Sequence, residues 1–518
     1  MQLLHLLLLL SVSLGHVWGY SFLLISPTAA KSHFYVGQAL AKGLVAAGHE
    51  VTVVSPFPQK KPIKNYVDVA TPNIITAMAV NKARILDVAK IPLVFRLPVM
   101  HAMGLKLTRT LMEEPEVHTL LAQNRTFDAV ICEVFMNEAH FGFAEHFQAP
   151  LIGLSTFGAS TWTTQLVGTP SPPSYVPNFL LHFSDHMSFF ERAHNLIFTA
   201  YELIYQHFFY LPQQQQLYRK YFPNNKQEFY ELRKNTALVL LNNHISLGFS
   251  RPYAPNMIEV GGMHINRKSQ SLPQNIEEFI KGAKHGVIYF SLGSNLRSSD
   301  LPLEKREAFV ETFRNLKQRV LWKFEEPNLP GKPDNVFISD WFPQDDILAH
   351  ENVILFITHG GLLSTTESIF HGKPVLGIPF FGDQFMNMAR AEQAGYGVTV
   401  AYSELTRETF QNAIDKILTN PSYTEQVREM SSTFRDQHET PLERAVYWVE
   451  HVTRQKGARY LRSAAQDLSF IQYHNLDVLA MIIGGLCLAL YAVFYCLAAL
   501  VRLIGKRLGG KSTKVKKN

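Results

Sequence analysis

Two separated stretches of the 518-residue sequence hold side chains that could do chemistry. The first contains His33, in Ala30-Lys31-Ser32-His33, just behind an apolar run at residues 22–25. Histidine's reference pKa of about 6.5 makes it a usable base near neutrality. Glu133 closes another apolar run, residues 127–132. A carboxylate there can hold an imidazole in one tautomer and stabilise its protonated form. That is the histidine–carboxylate logic of hydrolases without the serine. The nucleophile would be a hydroxyl carried by an acceptor.

The second stretch spans residues 341–384. His359-Gly360-Gly361 stands between an apolar run and the helical pattern of residues 362–370. A strand ending in glycines ahead of a helix N-terminus is an anion site, because free backbone N–H groups and the helix dipole point at the ligand. His359 can donate to the same anion, and Ser364 and Thr365 add hydroxyls. Asp383 and Gln384 follow the run at 374–378, and their oxygens suit sugar hydroxyls. Trp341 and Gln344 follow the run at 336–338; an indole can stack on a flat base and an amide can bond its edge. Singly, each has a plainer reading: a packing anchor, a space-filling ring, a turn glycine. Together they sit past the strand ends of one expected sheet, where open α/β sheets bind ligands. They describe a cradle for a nucleotide sugar. The acidic pair Asp345-Asp346 lies at an expected helix start, where carboxylates are ordinary, and no metal or other cofactor is expected.

The elements that must position these groups are strands and helices in alternation. A strand at 22–25, a helix over 36–47 stopped by Gly48-His49, and a strand at 51–54 make a βαβ unit on a buried parallel sheet. Strands at 127–132 and 150–154 follow, with 237–241 expected as the last of the first domain and 251–256 as a linker. A second series begins at 287–290 and continues through 319–322, 336–338, 355–358 and 374–378. The expected fold is α/β, with two Rossmann-like doubly wound domains facing across a cleft. The first would span 20–250, the second 251–440, and 441–477 would hold closing helices and a juxtamembrane segment. Within the first domain, an aromatic run from Phe189 to Tyr210 reads either as an amphipathic helix pair on the sheet or as a wall of an apolar acceptor pocket.

Both ends point to a membrane of the secretory pathway. Residues 1–19 read as a signal peptide, although no basic residue precedes the apolar run. Residues 478–501 carry no charge and, at about 1.5 Å per residue, are long enough to span a bilayer. Arg502, Lys506, Arg507, Lys511, Lys514, Lys516 and Lys517 follow as a basic tail, 502–518, expected to stay cytosolic. This tail accounts for the net charge of +6 and leaves the rest near neutrality, with no basic footprint for nucleic acid. The terminal lysines resemble a retrieval signal read by an endoplasmic reticulum receptor. The expectation is a single-pass type I protein with luminal domains. Of three cysteines, Cys487 and Cys496 fall in the span, so Cys132 has no disulfide partner in the large region. Asn124-Arg125-Thr126 is a glycosylation sequon, while Asn420 is disqualified by Pro421.

Trp341, Pro343-Gln344, His350, His359-Gly360-Gly361, Ser364, Glu367, Gly372-Lys373-Pro374, Pro379 and Asp383-Gln384 resemble the signature of the UDP-glycosyltransferase family. Gly153-Leu154-Ser155-Thr156-Phe157-Gly158 and Glu259-Val260-Gly261-Gly262-Met263-His264 resemble its insect branch. The resemblance implies the GT-B fold and transfer from a UDP-sugar to a small lipophilic acceptor. It implies that Trp341 and Gln344 take uracil and Glu367 the ribose. His359, Gly361, Ser364, Ser291 and Ser294 would take the diphosphate, and Asp383 and Gln384 the sugar. It makes His33 the base and puts Glu133 where vertebrate members carry aspartate. Leu363 stands where many relatives have asparagine. The insect likeness points to glucose as the sugar. A luminal binding protein without catalysis is the alternative, and it leaves His33, Asp383 and Gln384 without a purpose. A dinucleotide oxidoreductase is excluded, because no Gly-x-Gly-x-x-Gly follows the first strand.

Overall fold

Unbroken apolar runs form strands buried on both faces. In the computed structural model, which describes residues 19–83, 91–265 and 270–509, β1 (Ser21–Ile25) sends Leu23 and Ile25 into one core and Phe22 and Leu24 into another. Each such side chain contributes about 1.5–3 kcal/mol by leaving water. β2 (Glu50–Ser55), β3 (Tyr66–Ala70), β4 (Ala129–Glu133), β5 (Leu151–Ser155), β6 (Thr236–Leu241) and β7 (Met257–Glu259) complete a parallel sheet of order β3-β2-β1-β4-β5-β6-β7. The second sheet, also parallel, contains β8 (Val287–Ser291), β9 (Arg319–Lys323), β10 (Val336–Ser339), β11 (Val353–Thr358), β12 (Val375–Gly377) and β13 (Gly397–Thr399) in the order β10-β9-β8-β11-β12-β13. Each is doubly wound, and the order reverses between β1 and β4 in one and between β8 and β11 in the other.

The first domain carries α1 (Lys31–Ala46), α2 (Leu93–Met112) and α3 (Phe189–Tyr205). The second carries α4 (Gln344–Ala349), α5 (Leu362–Phe370) and α6 (Gln384–Gln393). After these, α7 (Pro441–Arg454) returns to the first domain, started by a reciprocal Thr440–Glu443 capping box. Its Ala445, Val449 and Val452 join the core of Phe22, Leu24 and Leu40. The close approach depends on Gly43 of α1, where a β-carbon would sit 2.7 Å from Leu442 Cδ1.

Several elements differ from expectation. α1 begins at Lys31 rather than near 36, so His33 is helical. β7 pairs with β6, so the stretch read as a linker, 251–256, connects two strands of one sheet. β3, β7 and β13 carry too few residues or too mixed a pattern to stand out in the sequence. The aromatic run forms α3 and a π-helical turn, Gln206–Tyr210. It packs through Phe198 and Tyr210 but leaves Phe189, Phe190, Phe208 and Phe209 exposed.

Residues 463–518 form a separate compact unit, whose described part is dominated by α8 (Leu476–Gly509). Among the described residues it is the one helix long and apolar enough to cross a membrane, by length and composition. The expected leader, but for Gly19, and the lysines from Lys511 onward lie outside the described residues.

Candidate active site

The first turn of α1 follows β1 through Ser26-Pro27-Thr28, so the helix begins at the sheet's topological switch point. His33 sits in that turn. Its Nδ1 lies 2.5 Å from Oε1 of Glu133, the last residue of β4. Thr156 Oγ1, just beyond β5, lies 2.9 Å from the same nitrogen. Phe135 and Phe157 pack on the ring at 4.9 and 5.1 Å. Glu133 is 1% exposed, and its Oε2 is buried without a partner. A carboxylate can only accept, so Nδ1 carries the proton and Nε2 keeps its lone pair for the cavity that His33 lines.

The opposing rim is built at the other switch point. β11 ends at Thr358, and Gly360 turns the chain with φ +80°, a left-handed conformation suited to glycine. A β-carbon there would also meet Met388 at 2.7 Å. Gly361 then caps α5, leaving the first amides of that helix facing the cleft. The His359 ring packs against Gly293 and Gly361, where a β-carbon would lie 2.5 and 2.6 Å from it. Burial, reinforced by the Lys323 charge, pushes its pKa down to about 4. His359 is therefore neutral near pH 7, and its ring N–H can serve as a hydrogen-bond donor to an anion. Lys323, paired with Glu325 at 2.6 Å, is a cation in the same wall.

Around the start of α5, Gln344 Nε2 donates to Glu367 Oε2 at 2.6 Å and to Ser364 Oγ at 3.2 Å. Tyr289 donates to Gln344 Oε1 at 3.3 Å. Trp341 is 47% exposed. Ser291 ends β8, and Ser294 is exposed in the loop beyond. Asp383 Oδ2 accepts from Asn387 Nδ2 at 2.8 Å. Desolvation raises its pKa, while the Asn387 bond and the nearby His33 and Arg390 pull it back. Gln384 differs from expectation: its Oε1 accepts from the backbone N–H groups of Phe380 and Phe381 at 2.8 and 3.1 Å. Only its amide N–H groups remain for a sugar.

One cavity of about 740 Å³ runs between the two rims. His33, Ser291, Ser294, Trp341, Gln344, His359, Gly361, Ser364, Glu367, Asp383 and Gln384 all line it, with Glu133 directly behind His33. Its apolar end is lined by Met100, Met103 and Leu107 of α2 and by Phe157, Phe179 and Leu180. The residues from Phe189 to Tyr210 take no part, which corrects the reading of that run as a pocket wall. Asp345 holds His371 Nε2 at 2.6 Å, and among the described residues no group of three His, Cys, Asp or Glu could hold a metal ion.

A family model described as UDP-glucoronosyl and UDP-glucosyl transferase matches residues 22–510. The chain belongs to this family. It is a UDP-glycosyltransferase, an enzyme that transfers a sugar from a UDP-sugar. It is 36% identical to UDP-glucosyltransferase 2 of Dactylopius coccus over 99% of both chains. It is 34% identical to UDP-glycosyltransferase UGT5 of the same insect, over 96% of this chain and 95% of that one. The crystal structure of the glycotransferase of kitacinnamycin shares the fold, with a TM-score of 0.57 and 17% identity, over 85% of this chain and 99% of that one.

In this glycosyltransferase the cavity also holds groups that motif reading passed over. Thr156 was visible only as part of Gly153-Leu154-Ser155-Thr156-Phe157-Gly158, and Tyr35 carried no signal beyond its place two residues after His33. His264 belongs to the second insect-like motif. Leu363 packs against the apolar core of the first domain.

Proposed function

We propose that the enzyme inverts the sugar's anomeric centre in a single displacement, with His33 as general base. Nε2 takes the proton of an acceptor hydroxyl. The oxygen attacks the anomeric carbon opposite the UDP. Amides at the start of α5 and the N–H of neutral His359 stabilise charge growing on the diphosphate. Glu133 holds the tautomer and stabilises the imidazolium. Trp341 and Gln344 take uracil, Glu367 the ribose, Ser291, Ser294, Gly361 and Ser364 the diphosphate, and Asp383 with the Gln384 amide the sugar. No divalent metal takes part. The observation that supports the reading is that His33, with Nδ1 engaged by Glu133, lines the same cavity as the His359–Gly361 turn and the N-terminus of α5.

The sugar we assign is glucose, supported by the relative named UDP-glucosyltransferase 2. The acceptor is a small lipophilic molecule, supported by the methionine- and phenylalanine-lined end of the cavity. We take the first sheet, which runs on through β7 (Met257–Glu259), as the acceptor half and the second sheet, from β8 (Val287–Ser291), as the donor half, which moves the 250/251 boundary expected from the sequence beyond β7. α8 is proposed as a single transmembrane span holding luminal domains on the endoplasmic reticulum, after removal of a signal peptide and with the terminal lysines read by a retrieval receptor. Replacing His33→Ala should abolish glucosyl transfer in microsomes and leave UDP binding within about twofold, since the base lies outside the donor's cradle. Transfer surviving above a few per cent refutes the base assignment.

A further inference from the structure

At the Trp341 end of the cavity, one wall comes from outside the second sheet. Lys31 Nζ, at the start of α1, stands 4.9 Å from the Trp341 ring centroid. The Tyr35 ring meets Trp341 edge-on at 6.4 Å and lines the cavity. His264, in the turn after β7, brings Nε2 within 3.3 Å of Glu367 Oε1. Its side chain is 7% exposed, and neither ring nitrogen has an aligned hydrogen-bond partner. A buried polar group without a partner is costly and rare, and a ligand group arriving beside it recovers that cost. Glu367 is bonded to Gln344 through its other oxygen, so Oε1 and the imidazole face the same space. Burial and the Glu367 charge both raise the Tyr35 pKa, which keeps the phenol protonated and able to donate.

We infer that Tyr35 and His264 are binding residues for the donor's nucleoside and hydrogen-bond the ribose alongside Glu367. Helix α1 then serves both substrates, presenting His33 to the acceptor and, two residues on, Tyr35 to the donor. Donor binding so fixes the helix that carries the base before the acceptor reacts. This rests on the proposed nucleoside site at Trp341, Gln344 and Glu367.

The test is calorimetric titration of the full-length enzyme with UDP and with 2′-deoxy-UDP, for wild type, Tyr35→Phe, His264→Ala and Trp341→Ala. One lost ribose hydrogen bond should raise the Kd for UDP about five- to tenfold in each of the first two variants. The deoxy compound should lose less, so that its handicap against UDP shrinks; a merely structural role would weaken both equally. The acceptor KM should stay within twofold. Tyr35→Phe removes a single oxygen and decides the matter even if His264→Ala folds poorly. UDP affinity within twofold of wild type in Tyr35→Phe, or equal losses for the two nucleotides, overturns the inference. If Trp341→Ala still loses UDP, the nucleoside site itself stands; if Trp341→Ala binds UDP normally, that site is wrong as well.

Discussion

Replacing Glu133→Gln isolates the carboxylate's charge from its shape. The side chain is buried at the end of β4, and its Oε1 lies 2.5 Å from His33 Nδ1. Two losses follow. The imidazolium formed in the transition state no longer faces a buried anion. A charge-assisted hydrogen bond is worth about 1.5–3 kcal/mol, and a charge pair about 4 Å apart about 4 kcal/mol at an effective dielectric of 20. A glutamine amide can also donate to Nδ1, moving the ring proton to Nε2 and blocking the base. Taking about 2–4 kcal/mol as the penalty, kcat should fall roughly 30- to 1000-fold. Ground-state donor binding does not use Glu133, so the Kd for UDP should stay within about twofold. The fold should tolerate the change, because Oε2 already lacks a partner in the core. Glu133→Asp keeps the charge but withdraws it by about 1.5 Å, and should lose less than Glu133→Gln. The assay is initial-rate transfer at saturating donor and acceptor, with UDP titration as the binding control and thermal unfolding as the folding control. A kcat within threefold of wild type for Glu133→Gln would remove Glu133 from the mechanism. An equal collapse of UDP binding would show that the substitution disrupts the fold.

Asp383→Asn should raise the KM for the UDP-sugar about tenfold while changing the Kd for free UDP less than twofold, because in the proposed arrangement this cavity-lining carboxylate takes the sugar. Comparable losses for both ligands would assign it another role. Glu202, buried and bonded by Thr161 and Asn178 at 2.6 Å each, has its pKa raised by burial to about 7. The folded chain therefore binds this proton more tightly than the unfolded chain. Its contribution is present below about pH 4.5 and is lost as pH rises towards and through 7, by up to about 3 kcal/mol. Glu202→Gln should flatten that part of the stability profile, seen as a smaller fall in unfolding midpoint between pH 5 and 8; an unchanged slope would show that Glu202 is not the group responsible.

Most of the chemistry was legible because it lies where parallel strands end. Runs such as residues 287–290 and 355–358 announce strands buried on both faces, and the polar residue after each is carried to the sheet edge. Short strands were not legible: β7 and β13 have three residues each, too few for a pattern, and exist because the neighbouring strand of the sheet supplies their hydrogen bonds. The start of α1 was missed because Ala30 gives no side-chain cap to mark it. The aromatic run gave an ambiguous signal for a physical reason. Helical spacing distinguishes one face from another but does not say which face meets the protein.

By itself the sequence determined the two doubly wound units, the family signature and which residues stand at the strand ends, since these follow from local pattern and order along the chain. Tertiary structure decided the rest. The pairing of β1 with β4 brings His33 and Glu133, 100 residues apart, to 2.5 Å. Packing of His359 against glycines beside Lys323 makes it neutral. The approach of α1 to Trp341 places the Tyr35 ring against the indole. Distances, burial and protonation arise from contacts between segments far apart in the chain, and no local pattern records them.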